Sequence, residues 1–281
     1  MGRLISGWLG VLLLGLLTPL AAADEAPQLS DEQLRFITAN AEFTLLHEMG
    51  HMLINELQLP VLGREEDAAD ELGFIGVFLL YGPHKDQIFY SKLVDVADYW
   101  RLEWQRPKPE QENVQVWDSH SLDAQRFYNI ACLAYGSDPD NLEWIIEATD
   151  LPAERAFYCD EEYTLALRSV NWLAERFRRA PGSGVQHRVQ VIYERPKANL
   201  LHGMDMYHRV RKSGVLERVA AQVSEAFALP RDVSIRLTGC GLPDAWYNAN
   251  SGEVTLCYER LSYFMELSTQ LPTLRAQRPS G

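Results

Sequence analysis

No stretch of the chain restricts its fold more than LLHEMGHMLINELQLPVLGREEDAADELG (45–73), which combines two histidines, a turn and an acidic cluster. Apolar residues recur at helical spacing through its first half, which predicts a helix. Pro60 ends that run and Gly63 permits a tight turn, so a second helix is predicted to start near Arg64. The short turn folds the second helix back antiparallel to the first. The histidines and the early acidic residues are therefore expected to lie side by side.

The two histidines are placed to share a metal ion. On a helix, His47 and His51 are four residues apart, so both imidazoles project from one face. Glu48 can accept a proton from a water that the metal activates, as in the HExxH pattern of zinc hydrolases. Gly50 costs about 1 kcal/mol of helix stability relative to alanine, which indicates close approach by another segment. The alternative is a surface helix whose histidines are merely solvated.

A catalytic zinc needs three protein ligands and one open position, so a third ligand must lie outside the histidine helix. The acidic cluster offers Glu65, Glu66, Asp67 and Asp70. Glu66 and Asp70 are one helical turn apart on one face. Glu66 is therefore predicted to bind the metal, while Asp70 holds the other ring N–H of a ligand histidine. Glu65 has Ala69 one turn on and lacks such a partner.

The first 23 residues are typical of a signal peptide. Arg3 supplies a positive start, LGVLLLGLL is apolar but short for a membrane span, and three alanines at 21–23 form a cleavage pattern. We expect an exported protein, periplasmic or secreted, with no membrane span after cleavage and no cleaved propeptide. An uncleaved N-terminal anchor is the alternative.

The four cysteines contain no CxxC pair, which argues against a thiolate zinc site. An oxidising compartment favours disulfides. Of the three connectivities we predict the two local ones, Cys132–Cys159 and Cys240–Cys257, because each closes a short loop. Four free buried thiols are the alternative.

The formal net charge of −13 and the lack of a basic stripe argue against a nucleic-acid partner.

The patterns predict a mainly helical α+β fold with a zincin-like active-site helix pair. We expect a helical region at 24–180 and a C-terminal α/β unit at 181–281, or one single domain over 24–281. The loop 106–113 is the expected flexible insertion. A capping-box pattern, SDEQ, predicts that the first helix starts near residue 31. Further helices are predicted at 86–104, 121–135, 160–179 and 214–228, and strands at 187–194, 232–237 and 254–259.

Three longer stretches resemble a known family. HEMGHMLINELQLPVLGREEDAAD (47–70), WDSHSLDAQRFYNIACLAYGSDPD (117–140) and CGLPDAWYNANSGEVTLCYERL (240–261) are similar to an exported family of predicted metallopeptidases, long catalogued as a domain of unknown function. The resemblance spans nearly the whole mature chain and implies a gluzincin-like site, an HExxH motif plus a glutamate. The family pattern has Asn-Ala where this chain has Asp244-Ala245.

Zinc hydrolases usually add a donor that stabilises the oxyanion formed when water attacks a carbonyl. His120 and Tyr258 are the candidates, although His120 also fits a local hydrogen bond at a helix start. The histidine helix is predicted to begin soon after the signal peptide, which leaves no room for a preceding strand. A strand that pairs with an extended substrate is therefore expected from the C-terminal part, with 254–259 as the first candidate.

The sequence thus predicts a zinc-dependent metallopeptidase that binds one Zn²⁺ through His47, His51 and Glu66, with Glu48 as general base. Its expected partner is a peptide or protein substrate. The alternatives are a zinc amidase or other hydrolase that acts on a non-protein or cell-wall substrate, and a non-catalytic, zinc-stabilised binding protein.

Overall fold

The computed structural model describes residues 29–107 and 117–277. The predicted signal peptide and most of the predicted insertion lie outside the described residues. The fold is mainly helical with one small mixed sheet, an α+β fold as predicted. Its helices are α1 (Asp31–Glu56), α2 (Glu65–Tyr81), α3 (Gln87–Gln105), α4 (Asp123–Gly136), α5 (Glu143–Thr149), α6 (Ala153–Ala156), α7 (Cys159–Phe177), α8 (Gly203–Ser213), α9 (Val215–Ala226), α10 (Tyr258–Ser268) and α11 (Leu271–Ala276). Its strands are β1 (Val189–Tyr193), β2 (Val233–Thr238), β3 (Ala245–Asn248) and β4 (Glu253–Cys257).

The N-terminus of α1 is closed by the predicted capping box. The Gln33 N–H donates to the Ser30 hydroxyl over 3.2 Å, and the Gln33 side chain accepts from the Ser30 N–H over 3.0 Å. The predicted second helix begins one residue after Arg64. The predictions for α3, α4, α7 and α9 agree with the structure within a few residues. The elements that were not predicted are α5, α6, α8, α10, α11 and β3.

Two glycines allow α1 and α2 to pack almost backbone to backbone. A Cβ at Gly50 would lie 3.2 Å from the Ala69 Cα and carbonyl oxygen, so the close approach predicted there is confirmed. A Cβ at Gly73 would lie 2.9 Å from the His47 backbone nitrogen and 3.1 Å from its Cα. The absence of a side chain at Gly73 therefore sets the distance between α2 and the histidine-bearing turn of α1.

Replacing Gly73 with alanine is expected to lower the free energy of unfolding by about 1–3 kcal/mol, because the added methyl group overpacks a backbone contact. Gly76→Ala, one turn further along α2, is the matched control. A Cβ there meets Leu46 Cδ2 at an ordinary 3.5 Å, so the higher helix propensity of alanine should stabilise by up to about 1 kcal/mol. Chemical denaturation of both variants measures the difference. Equal effects would contradict the contact argument.

The sheet has the strand order β1-β2-β4-β3, with β1, β2 and β4 parallel and β3 antiparallel to β4. Two predictions about 254–259 are wrong. The strand ends at Cys257, and Tyr258 begins α10. Furthermore, β4 cannot pair with a substrate, because β2 and β3 already occupy both of its edges. The available edge near the histidine helix belongs to β3.

The sheet is attached to α1 through Glu56, in the last turn of that helix. The Glu56 carboxylate is nearly buried and accepts hydrogen bonds from Arg231 Nε over 3.0 Å and from the Tyr247 hydroxyl. Because Tyr247 belongs to β3, this network holds the edge strand against the helix that carries the histidines. The buried apolar side chains form one hydrophobic cluster that runs from α1 to α11.

Both predicted disulfides are present in the structure. Cys132–Cys159 joins α4 to α7, and Cys240–Cys257 joins the loop before β3 to the end of β4. Two disulfides are compatible with an exported protein. Within the described ranges, none of the helices is long and apolar enough to cross a membrane.

Candidate metal centre

Three potential ligand atoms converge where the first turns of α2 meet α1. His47 Nε2 and His51 Nε2 are 3.2 Å apart, and Glu66 Oε2 lies 3.4 Å from the first and 3.2 Å from the second. The pair of histidines results from the i, i+4 spacing on α1. Glu66 reaches them because the turn after α1 returns the start of α2 to the same level. The structure thus brings together the three residues that the sequence predicts as ligands.

The other ring nitrogens are held by carboxylates. His47 Nδ1 lies 2.8 Å from Asp70 Oδ1, and His51 Nδ1 lies 2.8 Å from Glu65 Oε1. Because an ionised carboxylate can only accept, both Nδ1 atoms are assigned as donors. With both Nδ1 atoms protonated, each neutral ring directs its Nε2 lone pair toward the Glu66 carboxylate. Three electron-rich atoms facing one point require a cation between them, either protons or a metal ion.

The spacing of these atoms fits zinc. Zinc–nitrogen and zinc–oxygen bonds of about 2.0–2.1 Å at tetrahedral angles separate the ligand atoms by roughly 3.3–3.4 Å. The three observed separations lie close to this value. A second group of metal-ligand type, Cys240, Cys257 and Glu259, does not fit, because both sulfurs are in a disulfide and offer no thiolate.

Arg126 of α4 binds Asp70, the carboxylate that contacts His47. Its Nε donates to Asp70 Oδ2 over 2.7 Å, and its guanidinium stacks on the Trp100 ring at 3.6 Å from the ring centre. Burial raises the pKa of Asp70, but the charge of Arg126 and the hydrogen bond from His47 reverse this, so the net pKa is lowered. Asp70 therefore stays ionised and orients His47. Sequence reasoning missed Arg126, which lies 56 residues away from Asp70 in the chain.

Glu48 is buried beside the ligand cluster, with 8% of its surface exposed. Burial is the largest influence on its carboxyl group and raises its pKa, and the two histidines lower it only in part. A carboxylate with a raised pKa is a stronger base than a solvated glutamate.

The structure brings His120 to the cluster but not Tyr258. His120 Nε2 lies 3.0 Å from Glu66 Oε2, and its Nδ1 lies 3.0 Å from Asp118 Oδ1. The hydroxyl of Tyr258 is buried and donates to the carbonyl oxygen of Glu194 over 2.6 Å. Tyr258 therefore already has a structural partner elsewhere.

A cavity of about 100 Å³ opens beside this cluster, between α1 and the C-terminal sheet. It joins α1, α3, α4 and α10 to the start of β3. Its lining residues are Asn40, Phe43, Thr44, His47, Glu48, Tyr99, Trp100, His120, Arg126, Asp244, Ala245 and Arg260.

Comparison with known proteins agrees with this geometry. The model of the DUF4344 family, described as "Putative metallopeptidase", matches residues 18–174 and 196–277. The chain belongs to this family. No curated protein and no solved structure shows a significant match. The family description as a metallopeptidase implies a metal. The same description suggests a peptide or protein substrate.

The electrostatics of this DUF4344 protein link metal binding to pH. Burial alone would lower the pKa of His51, but hydrogen bonds to Glu66 and Glu65 raise it to about 9. The pKa of His47 is also raised, since Asp70 and Glu66 outweigh the effect of burial. The metal-free site therefore holds protons at neutral pH, and a metal must displace them because only neutral imidazoles coordinate it.

The metal-free protein is expected to lose stability as the pH rises. A histidine whose pKa is raised by folding stabilises the fold fully below its ordinary value of 6.5 and loses that contribution as the pH approaches the folded value. For His51 this window runs from 6.5 to about 9. The Tm of chelator-treated protein should therefore fall between these pH values, while zinc affinity should rise.

Calorimetry at several pH values measures this dependence. In metal-free His51→Gln the fall in Tm should be smaller, whereas the exposed control His84→Gln should behave as wild type. A Tm that rises over this pH range in the metal-free wild type would contradict the assignment.

Proposed function

We propose that the protein is an exported zinc-dependent metallopeptidase, periplasmic or secreted, that hydrolyses peptide bonds. The observation that carries the proposal is the convergence of His47 Nε2, His51 Nε2 and Glu66 Oε2, with Glu48 buried beside them. These residues would hold one Zn²⁺ in a gluzincin-like arrangement, with Asp70 and Glu65 orienting the two histidines. Membership of a metallopeptidase family supports a peptide bond as the target.

Bound zinc would supply Lewis-acid chemistry, since it polarises a carbonyl group and lowers the pKa of water. In the proposed mechanism a Glu48 carboxylate oxygen accepts the proton of the attacking water and later passes it to the leaving amine. His120 is proposed to donate from Nε2 to the developing oxyanion, while Asp118 orients its ring through Nδ1. In the metal-free site the pKa of His120 is raised, with the hydrogen bond to Glu66 as the largest cause and that to Asp118 as a further one. With Glu66 on the metal, Asp118 would hold the ring while Nε2 faces the oxyanion.

The edge strand β3 is proposed to align an extended peptide. Asp244 and Asn248 accept hydrogen bonds from Cys257 and Gly252, on the side of β4, over 3.2 and 2.8 Å. Because hydrogen-bonding direction alternates along an antiparallel strand, the N–H and C=O groups of Tyr247 and the C=O of Ala245 point away from β4. Ala245 also lines the cavity next to Glu48. A substrate strand added here would pass the proposed catalytic base.

The test combines elemental analysis with turnover of a peptide library. The purified protein is expected to contain one zinc per chain. Cleavage should stop after chelation and return after zinc addition. Bound zinc without any cleavage would favour a non-catalytic zinc protein, and cleavage of cell-wall peptides alone would favour an amidase. Lack of zinc binding after zinc addition would overturn the proposal.

A further inference from the structure

The cavity beside Glu48 contains a guanidinium group that the proposed mechanism does not use. Arg260, in the first turn of α10, lines this cavity. Among the described residues its Nε is buried without a hydrogen-bond partner, and Nη1 reaches only the carbonyl oxygen of Pro243, over a long 3.5 Å. In the described parts of the chain, no carboxylate forms an ion pair with it. A buried cationic donor without an anion is costly unless a ligand supplies the missing partner.

Two other charged groups of the cavity, Arg126 and Asp244, already have partners. Arg126 is bound by Asp70 on the side of α2. The Asp244 carboxylate accepts a hydrogen bond from the Ala245 N–H over 2.9 Å and is not within ion-pair distance of Arg260. Arg260 is therefore the cation in this cavity whose charge is not used within the described structure.

Arg260 is also held in place before any ligand arrives. Its guanidinium lies 5.2 Å from the ring centre of Tyr99 and 5.0 Å from that of Phe264. A second donor, Trp100 Nε1, belongs to a side chain that is only 7% exposed, and no described residue accepts a hydrogen bond from it. The guanidinium held in this cavity matches the two oxygens of a carboxylate, which arginine binds in bidentate fashion.

We infer that Arg260 anchors a carboxylate of the substrate, so that the site prefers peptides with an anionic group close to the scissile bond. This inference rests on the proposed function, because the peptide lies in the cavity beside Glu48. The carboxylate has two possible sources, an acidic side chain and the C-terminal carboxylate of the peptide. Both offer the same chemistry to the guanidinium and differ in whether the enzyme would cleave within a chain or near its end.

Binding to zinc-loaded Glu48→Gln protein tests the inference without turnover. The probes are fluorescent peptide libraries in matched pairs. In the first arm the two members of a pair carry Glu or Gln at one position, and in the second arm they have a free or an amidated C-terminus. We expect the carboxylate member of at least one arm to bind about 10- to 100-fold more tightly, as is usual for a charged hydrogen-bonded pair. The arm that shows the preference identifies the source of the carboxylate.

Substitutions in the same Glu48→Gln background assign the preference to Arg260. Arg260→Gln should abolish it, and Arg260→Lys should retain part, because the charge remains but the planar fork is lost. Arg209→Gln is the matched control, since Arg209 is exposed on α8 and pairs with Asp205. Zinc content and Tm are measured for each variant, and Arg260→Lys provides the comparison if Arg260→Gln does not fold.

The outcomes separate this inference from the proposed function. A preference that Arg260→Gln removes supports the anchor, even if wild-type protein cleaves none of the same peptides, in which case only the proposed peptidase activity fails. Equal affinity for both members of every pair, including no measurable binding of either, overturns the anchor. A preference that stays unchanged in Arg260→Gln also overturns the anchor. If Arg260→Gln does not fold, an equal and unchanged preference in Arg260→Lys and in the control Arg209→Gln overturns it.

Discussion

Replacing Glu48 with glutamine is expected to lower kcat by about 10²- to 10⁴-fold, the usual contribution of a general base, while zinc content stays at the wild-type level. Glutamine has nearly the same shape as glutamate but cannot accept the proton of the attacking water. Because Glu48 is not one of the three residues whose ligand atoms converge, the metal site should remain intact. Steady-state kinetics on a peptide that the wild type cleaves, together with elemental analysis, measures both quantities.

Glu42→Gln provides a matched control for this substitution. Glu42 is another buried glutamate of α1, but it pairs with Lys92 and Tyr81 away from the ligand cluster. Its replacement should affect stability more than kcat. A Glu48→Gln variant that keeps its zinc and its full activity would rule out Glu48 as the base.

Replacing Glu66 with alanine is expected to weaken zinc binding by more than about 100-fold, because it removes one of three proposed ligands. Glu65→Ala should weaken binding by only about 10- to 100-fold, the usual effect of losing a group that orients a ligand histidine. The two residues are adjacent in the first turn of α2, so both substitutions lose a similar favourable interaction with the helix dipole. Competition titration with a zinc chelator measures the two affinities.

The comparison between these neighbours tests the assignment of the third ligand. A larger loss of zinc affinity in Glu65→Ala than in Glu66→Ala would reverse the roles of the two carboxylates. In the structure, Glu66 Oε2 faces both Nε2 atoms, whereas Glu65 contacts the opposite nitrogen of His51. This geometry is the basis of the expected order.

Local spacing explains why much of the site was predictable. The i, i+4 relation of His47 and His51 follows from helix geometry alone, and the 3–4 residue spacing within α2 places Glu66 and Asp70 on one face. The turn between the helices is short enough that its Pro60 and Gly63 determine where α2 begins. The disulfides were predictable for a related reason, since each closes a loop between neighbouring elements.

The partners that the sequence did not reveal come from distant segments. Arg126 reaches Asp70, Arg231 reaches Glu56 and Arg260 enters the cavity only because whole helices and strands pack together. Spacing along the chain carries no information about such contacts. The edge position of β3 could not be predicted from spacing either, because strand order depends on how the C-terminal segment folds back between β2 and α10.

Sequence alone therefore determined the helix pair, the two histidines with the glutamate beside them, the candidate third ligand and the two local disulfides, since helical periodicity and short loops act over a few residues. Only the tertiary structure decided that Glu65 contacts His51, that His120 contacts Glu66, and that β3 rather than β4 lies at an edge of the described sheet. It also decided that Arg260 lies in the cavity beside Glu48 with no carboxylate partner among the described residues. These features depend on the packing of segments far apart in the chain, where hydrophobic burial sets which side chains meet.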